Sequence, residues 1–153
     1  MFHIDGTIEI QSPQIIVLPA FSREDFLASS LFPVTEPSNQ NHPYSRYFFK
    51  SISAEQEEHF QGSICFAWGR LYDFDVSSLR KEFEKDEGGK HLFHKKILEA
   101  AFKRVPDERS SWPNGEEIGV TYNFHWGNVS ARIDIKTWDA LIYSRYFTPE
   151  FPK

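Results

Sequence analysis

Residues 117–146 read EIGVTYNFHWGNVSARIDIKTWDALIYSRY. Ile118, Val120, Tyr122, Phe124 and Trp126 alternate with Glu117, Gly119, Thr121, Asn123 and His125, the period of two that marks a half-buried strand. Gly127-Asn128 follows, a two-residue hairpin signal in which glycine supplies the positive φ of a type II′ turn. A turn there sets Trp126 opposite Val129, Phe124 opposite Ala131, Tyr122 opposite Ile133 and Val120 opposite Ile135, so apolar meets apolar. The other face pairs His125 with Ser130, Asn123 with Arg132 and Thr121 with Asp134. A slip of one residue would turn every side chain to the wrong face. A second reversal at Thr137-Trp138 puts Lys136 opposite Asp139, Ile133 opposite Ile142 and Val129 opposite Tyr146. The result is a three-strand antiparallel meander whose polar face carries Arg132 beside Tyr143 and Ser130 beside Arg145.

The apolar face needs a cover, and residues 90–104 offer one. Phe93, Ile97, Leu98, Ala101, Phe102 and Val105 form a stripe at helical spacing, with Lys95, Lys96, Glu99 and Lys103 outside it. Pro106 marks the end. Before it, Ser77 or Ser78 is placed to start a helix carrying Leu79 and Phe83, interrupted at Gly88-Gly89.

The first half reads mainly as strands. Residues 7–10 and 14–18 predict a hairpin or bent strand, and the unbroken Ile15-Ile16-Val17-Leu18 predicts burial on both sides. Ser22 can cap a short helix bearing Phe26, Leu27 and Leu31, which must dock on the sheet because it is too short to stand alone. Residues 32–45 hold three prolines among turn formers and read as a loop. Residues 46–52, 59–67 and 71–76 follow as strands; Phe60, Ile64, Phe66 and Trp68 share a face of the second, and Tyr72, Phe74 and Val76 share one of the third. Ser53-Ala54-Glu55-Gln56 predicts one capped helical turn. Residues 107–117 form a second, acidic loop holding Trp112. The expected fold is α+β: one domain over residues 1–153, with an antiparallel sheet of about six to eight strands and one or two helices on one face.

At 153 residues with 40% apolar content, the chain can build a core without staples. Its single cysteine, Cys65, excludes an internal disulfide and fits a reducing compartment. The opening Met1-Phe2-His3-Ile4-Asp5-Gly6 has neither a basic n-region nor an apolar h-region, and no stretch has the length of a membrane span. A soluble cytosolic protein is expected, with no membrane partner. The net charge of −5 argues against a nucleic-acid partner and suits a basic protein partner. Exposed strand edges leave homodimerisation open.

No phosphate-cradling glycine loop, nucleophile elbow, metalloprotease helix or cysteine pair is present. His91 and His94 share a helix side, but two ligands fall short of a zinc site, so no metal or other cofactor is expected and a partly exposed helix face is. The meander's polar face gathers Asn123, His125, Arg132, Asp134, Tyr143 and Arg145. Acid-base chemistry around His125, Asp134 and Arg132 is one alternative; a solvated sheet face with paired charges competes with it. Binding is the leading expectation. Trp112 lies among Asp107, Glu108, Glu116 and Glu117, an aromatic anchor with steering charge, with Asn123 and His125 at its margin. The rival reading folds Trp112 back over the helix end. A further alternative is a ligand-binding or scaffold module using the proline-rich loop from Pro33 to Ser45.

The layout also resembles a family. A short Phe26-Leu27-Ala28-Ser29 helix, paired strands ending in Gly69-Arg70-Leu71, an amphipathic helix, Trp126-Gly127, Asp134 and a closing Ile142-Tyr143-Ser144-Arg145-Tyr146 resemble the small immunity proteins of bacterial polymorphic-toxin and contact-dependent growth-inhibition systems. That resemblance implies a non-catalytic cytosolic protein that blocks the toxic C-terminal domain of a cognate effector, often a basic nuclease. No contact residue carries over by motif, because such families diversify at the binding surface.

Overall fold

A computed structural model describes residues 1–54 and 58–147. Among these residues ten strands and two α-helices follow in order: β1 (Ile8–Ile10), β2 (Ile15–Val17), α1 (Arg23–Leu27), β3 (Thr35–Pro37), β4 (Tyr44–Ser53), β5 (His59–Ala67), β6 (Arg70–Ser78), α2 (Glu87–Phe102), β7 (Glu108–Ser111), β8 (Glu117–Phe124), β9 (Gly127–Asp134) and β10 (Asp139–Tyr146). Strands β1 and β2 form a small sheet of their own. The other eight form one antiparallel sheet in the order β3-β4-β5-β6-β10-β9-β8-β7. It consists of two four-strand meanders joined edge to edge by β6 and β10, with α2 as the crossover between them. The α+β expectation and its strand number hold.

One face of the sheet is apolar and covered twice. Helix α2 packs on β8, β9 and β10, with Phe102 5.0 Å from both Tyr122 and Phe124. Over β4 and β5 lies α1, where Ser22 and Asp25 form a complete capping box and the Phe26 ring packs at a tilt on Tyr47 at 4.7 Å and Phe66 at 5.3 Å. Ile8, Ile10 and Val17 join the same core. Ile16 and Leu18, expected to be buried, are more than half exposed; β2 pairs only with β1, so one of its sides has nothing to face.

The meander keeps its faces but not its registers. The first turn is His125-Trp126, so Val120 faces Ala131, Tyr122 faces Val129 and Phe124 faces Gly127. The partner of Val120 has moved four residues from Ile135, an even number, and every side chain keeps its face. Gly127 is a strand residue because β10 runs too close for a side chain: a Cβ would lie 2.0 Å from the Arg145 carbonyl oxygen. Trp126 enters the turn and stacks between Phe124 and Tyr146 at 5.2 Å from each, its indole N–H donating to Ile4 O at 2.7 Å. The second reversal is residues 135–138 rather than Thr137-Trp138 alone, with Asp134 opposite Asp139 and Ala131 opposite Ile142.

Other expectations are corrected by competing contacts. Ser77 and Ser78 start no helix: β6 runs through them, and Ser77 Oγ donates to Ala140 O at 2.8 Å across to β10. Helix α2 instead begins after Asp86, whose carboxylate accepts from Gly89 N, so Gly88-Gly89 lies in its first turn. It ends at Phe102, with Lys103 in a left-handed cap, and Val105 is 77% exposed. His91 and His94 are buried, not partly exposed, because Lys90, His91 and His94 lie on the side of the helix that meets the sheet. Trp68 leaves the face of Phe66 for the β5–β6 turn, with φ 54°. A bulge between Cys65 and Phe66 buries Leu71 and moves Tyr72 away from Phe74. Both long loops contain an edge strand, β3 in residues 32–45 and β7 in residues 107–117. The turn expected at residues 53–56 falls largely outside the described residues.

Candidate functional site

The seven residues singled out for binding divide between the two ends of β8. At one end, the β7–β8 turn carries Trp112 and Glu116 and leads into Glu117. At the other lie Asp107, Glu108, Asn123 and His125. Glu117 and Asn123 are six residues apart on one strand, roughly 20 Å, so they belong to separate surfaces.

At the first end, Trp112 does not cover the helix end. Its ring stacks on Trp138 of the β9–β10 loop at 5.6 Å and 25°, and Trp138 is itself 63% exposed with φ 59°. Ile135 of the same loop is also exposed, as is Glu116. Glu117 is committed inward: Lys95 Nζ donates to it at 2.8 Å and Arg109 Nη1 at 2.7 Å, with His91 Nε2 3.7 Å away. Burial opposes its ionisation, but the Lys95 and Arg109 hydrogen bonds outweigh it and hold the carboxyl below its ordinary value. Trp138 is the residue that sequence reasoning missed. The signal was a tryptophan in the turn Ile135-Lys136-Thr137-Trp138, where nothing local required an aromatic ring.

At the other end, Asp107 accepts from Asn123 N at 2.7 Å and Arg104 Nη1 at 2.9 Å, which lower its pKa in that order. Glu108 accepts from Asn123 Nδ2 at 2.9 Å. These bonds clamp β7 to β8 and the end of α2, a structural use for both acids. His125 lines an open groove with His3, Ile4, Asp5, Ala101 and Phe124. Asp134 sits at the far end of β9, where it accepts from Lys136 N, seven residues and roughly 23 Å from the His125 turn. The triad of His125, Asp134 and Arg132 is therefore not assembled.

The central polar cluster lies on the sheet's other face, which carries no described helix. Arg46 of β4 reaches Ser63 Oγ at 2.6 Å, Asp73 at 2.8 Å and Asp75 at 3.3 Å. Arg145 of β10 donates to the Tyr143 hydroxyl at 2.8 and 2.6 Å and to the Tyr72 hydroxyl, the bulge on β6 having brought Tyr72 within reach. Arg132 lies 4.2 Å over the Tyr143 ring. Burial lifts Asp75 to about 6 and, with Asp73 alongside, the Cys65 thiol to about 11, so Cys65 is no nucleophile at neutral pH. Among the described residues no three His, Cys, Asp or Glu side chains are grouped to hold a metal, and no helix is long and apolar enough to cross a membrane.

Comparison with protein-family models, curated proteins and solved structures finds no match to this chain.

Proposed function

We propose that this is a non-catalytic binding protein of the immunity type, acting in the cytosol to sequester a basic toxin domain. The Trp112–Trp138 stack, shared between two loops and exposed at Trp138, is the observation that carries the reading. Leaving so much aromatic surface in water costs a monomer, whereas two rings held against each other present a rigid anchor that loses little entropy on docking. Glu116 lies in the turn directly after Trp112 and is exposed, so it can hasten encounter with a cation-rich surface. The chemistry of an enzyme lacks support in this arrangement: His125, Asp134 and Arg132 are spread along the meander, and Cys65 is buried and protonated.

The test is isothermal titration against the C-terminal domain of any large secreted effector whose gene is found to adjoin this one. Replacing Trp112 and Trp138 together by Ala is expected to weaken binding by about 30-fold or more, with an unchanged far-ultraviolet circular dichroism spectrum. Glu116→Lys is expected to slow association. Unaltered affinity in the double tryptophan variant rejects the assignment. Glu117 is left out of this test, because its bonds to Lys95 and Arg109 make reversal of its charge a folding mutation.

A further inference from the structure

On the sheet's open face two arginines, Arg132 and Arg145, make no ion pair among the described residues, unlike Arg46. Arg46 is matched by Asp73 and Asp75, within 2.8 and 3.3 Å. Arg132 and Arg145 form no ion pair with any carboxylate among the described residues, although Arg80, Arg104 and Arg109 all do. Both are held by tyrosine instead. Their guanidinium carbons lie 4.2 and 5.6 Å from the centre of the same Tyr143 ring, and Arg145 lies 4.0 Å over Tyr72 as well. A guanidinium has five N–H donors. Arg145 directs three of its nitrogens at two phenol oxygens and Arg132, among the described residues, lies over the ring without a side-chain hydrogen bond, so both keep donors for an oxyanion.

We propose that this open face is a second part of the partner interface, where Arg132 and Arg145, braced on Tyr143, take acidic side chains of the protein partner. The inference rests on the binding reading above and adds the chemistry of the partner's other half. Three observations select a protein over a small anion. The cleft beside Arg132, bordered by Ile133, Asp134, Ile135 and Lys136, is open at the β9–β10 loop, whereas small-ligand sites bury most of their ligand. Phe48 is half exposed on the same face, and a surface of arginine, tyrosine and phenylalanine has the composition of a protein interface core. Ile135 and Trp138 share one loop with Lys136, so the face runs on into the Trp112–Trp138 anchor. A partner that is basic where it meets Glu116 and acidic where it meets Arg132 and Arg145 can dock in one orientation only, since turning it round would set like charges together.

The experiment uses the full chain with arginine Nε labelled by ¹⁵N, titrated with an acetylated Glu-Asp-Glu peptide, with pyrophosphate, and with sodium chloride at matched ionic strength. The peptide is expected to shift the Arg132 and Arg145 Nε–H signals. Arg132→Gln with Arg145→Gln is expected to weaken peptide binding by about tenfold, read by calorimetry because these signals are then absent. The Trp112 and Trp138 double alanine variant is expected to keep the peptide-induced shifts. Signals that stay still with peptide, that move equally with sodium chloride, or that move with pyrophosphate alone overturn the proposal. Loss of the arginine response leaves the tryptophan test standing, and failure of the tryptophan test leaves the arginine response readable, so the two readings fail separately.

Discussion

Three buried residues show how a single side chain decides between neighbouring possibilities. Gly127 was expected to shape a turn, yet the Arg145 carbonyl leaves no room for a Cβ there. Gly127→Ala is expected to cost about 2–3 kcal/mol, measured as a fall in the urea midpoint. His94 is fully buried beside Phe60 and Phe93, its Nε2 accepting from Ser78 N at 3.1 Å. Burial, reinforced by Lys90, lowers its pKa from 6.5 to about 3. The unfolded chain therefore takes up a proton near pH 6.5 that the folded chain refuses until about 3. This contribution is intact above 6.5 and is lost progressively as the pH falls toward 3. Asp75, raised to about 6, has the opposite sign, its contribution fading as the pH rises from 3.8 to 6. Comparison with His94→Gln isolates the histidine, because Gln can still accept the Ser78 N–H without titrating: the variant should lose less stability between pH 7 and 5 than the parent chain. Tyr122 gives the contrary case. Its hydroxyl is buried with no hydrogen-bond partner among the described residues, so Tyr122→Phe is expected to leave the urea midpoint unchanged or to raise it.

At the scale of elements, α2 is set by its ends and its polar side as much as by its apolar stripe. Asp86 caps the first turn through Gly89 N at 2.8 Å, and Asp86→Ala should cost about 1 kcal/mol in chemical denaturation. Lys90, buried on the first turn, is held between Asp139 at 2.8 Å and Glu87 at 3.0 Å. Burial disfavours its charge, but those two acids prevail and its pKa is raised. Removing one partner with Asp139→Ala leaves that charge half answered, and a loss of about 1–2 kcal/mol at pH 7 is expected. The Lys90–Asp139 pair and the bond from Ala140 N to Glu87 fasten the start of α2 to the start of β10, which is why a helix with two glycines in its first turn persists. The amphipathic pattern located the helix to within three residues at either end but misjudged its sides: Val105 points to water and the two histidines point in. A stripe count sees apolar residues only. It cannot see a lysine and two histidines whose polar atoms meet carboxylates and a strand N–H inside the interface.

At the scale of the molecule, the open face and the loop end form the surface on which function is proposed. Half of it was legible in the sequence. Trp112 and Glu116 stood out because an aromatic ring in an acidic loop has no local structural reason, and Arg132, Tyr143 and Arg145 fell on one face by alternation. The rest was not legible, since Trp138 meets Trp112 only after two hairpins have brought their loops together, and Arg46, Asp73 and Asp75 join Tyr143 only through the pairing of β6 with β10. Asp107 and Glu117, read as free steering charge, are paired with Arg104 and with Lys95 and Arg109, and Glu108 is held in place by the Asn123 amide.

Alternation by itself determined which side of each meander strand faces the core, because a period of two survives any even change of register. Helical spacing and the Ser22 cap likewise determined the existence of the main helix and of α1, and with the strands the α+β class. Only the tertiary structure decided the registers, through the closeness of β10 to Gly127 and the anchoring of Trp126 on Ile4. It alone decided which charges remain for a partner. Those outcomes depend on contacts between residues up to 122 positions apart, and local pattern carries no information at that range.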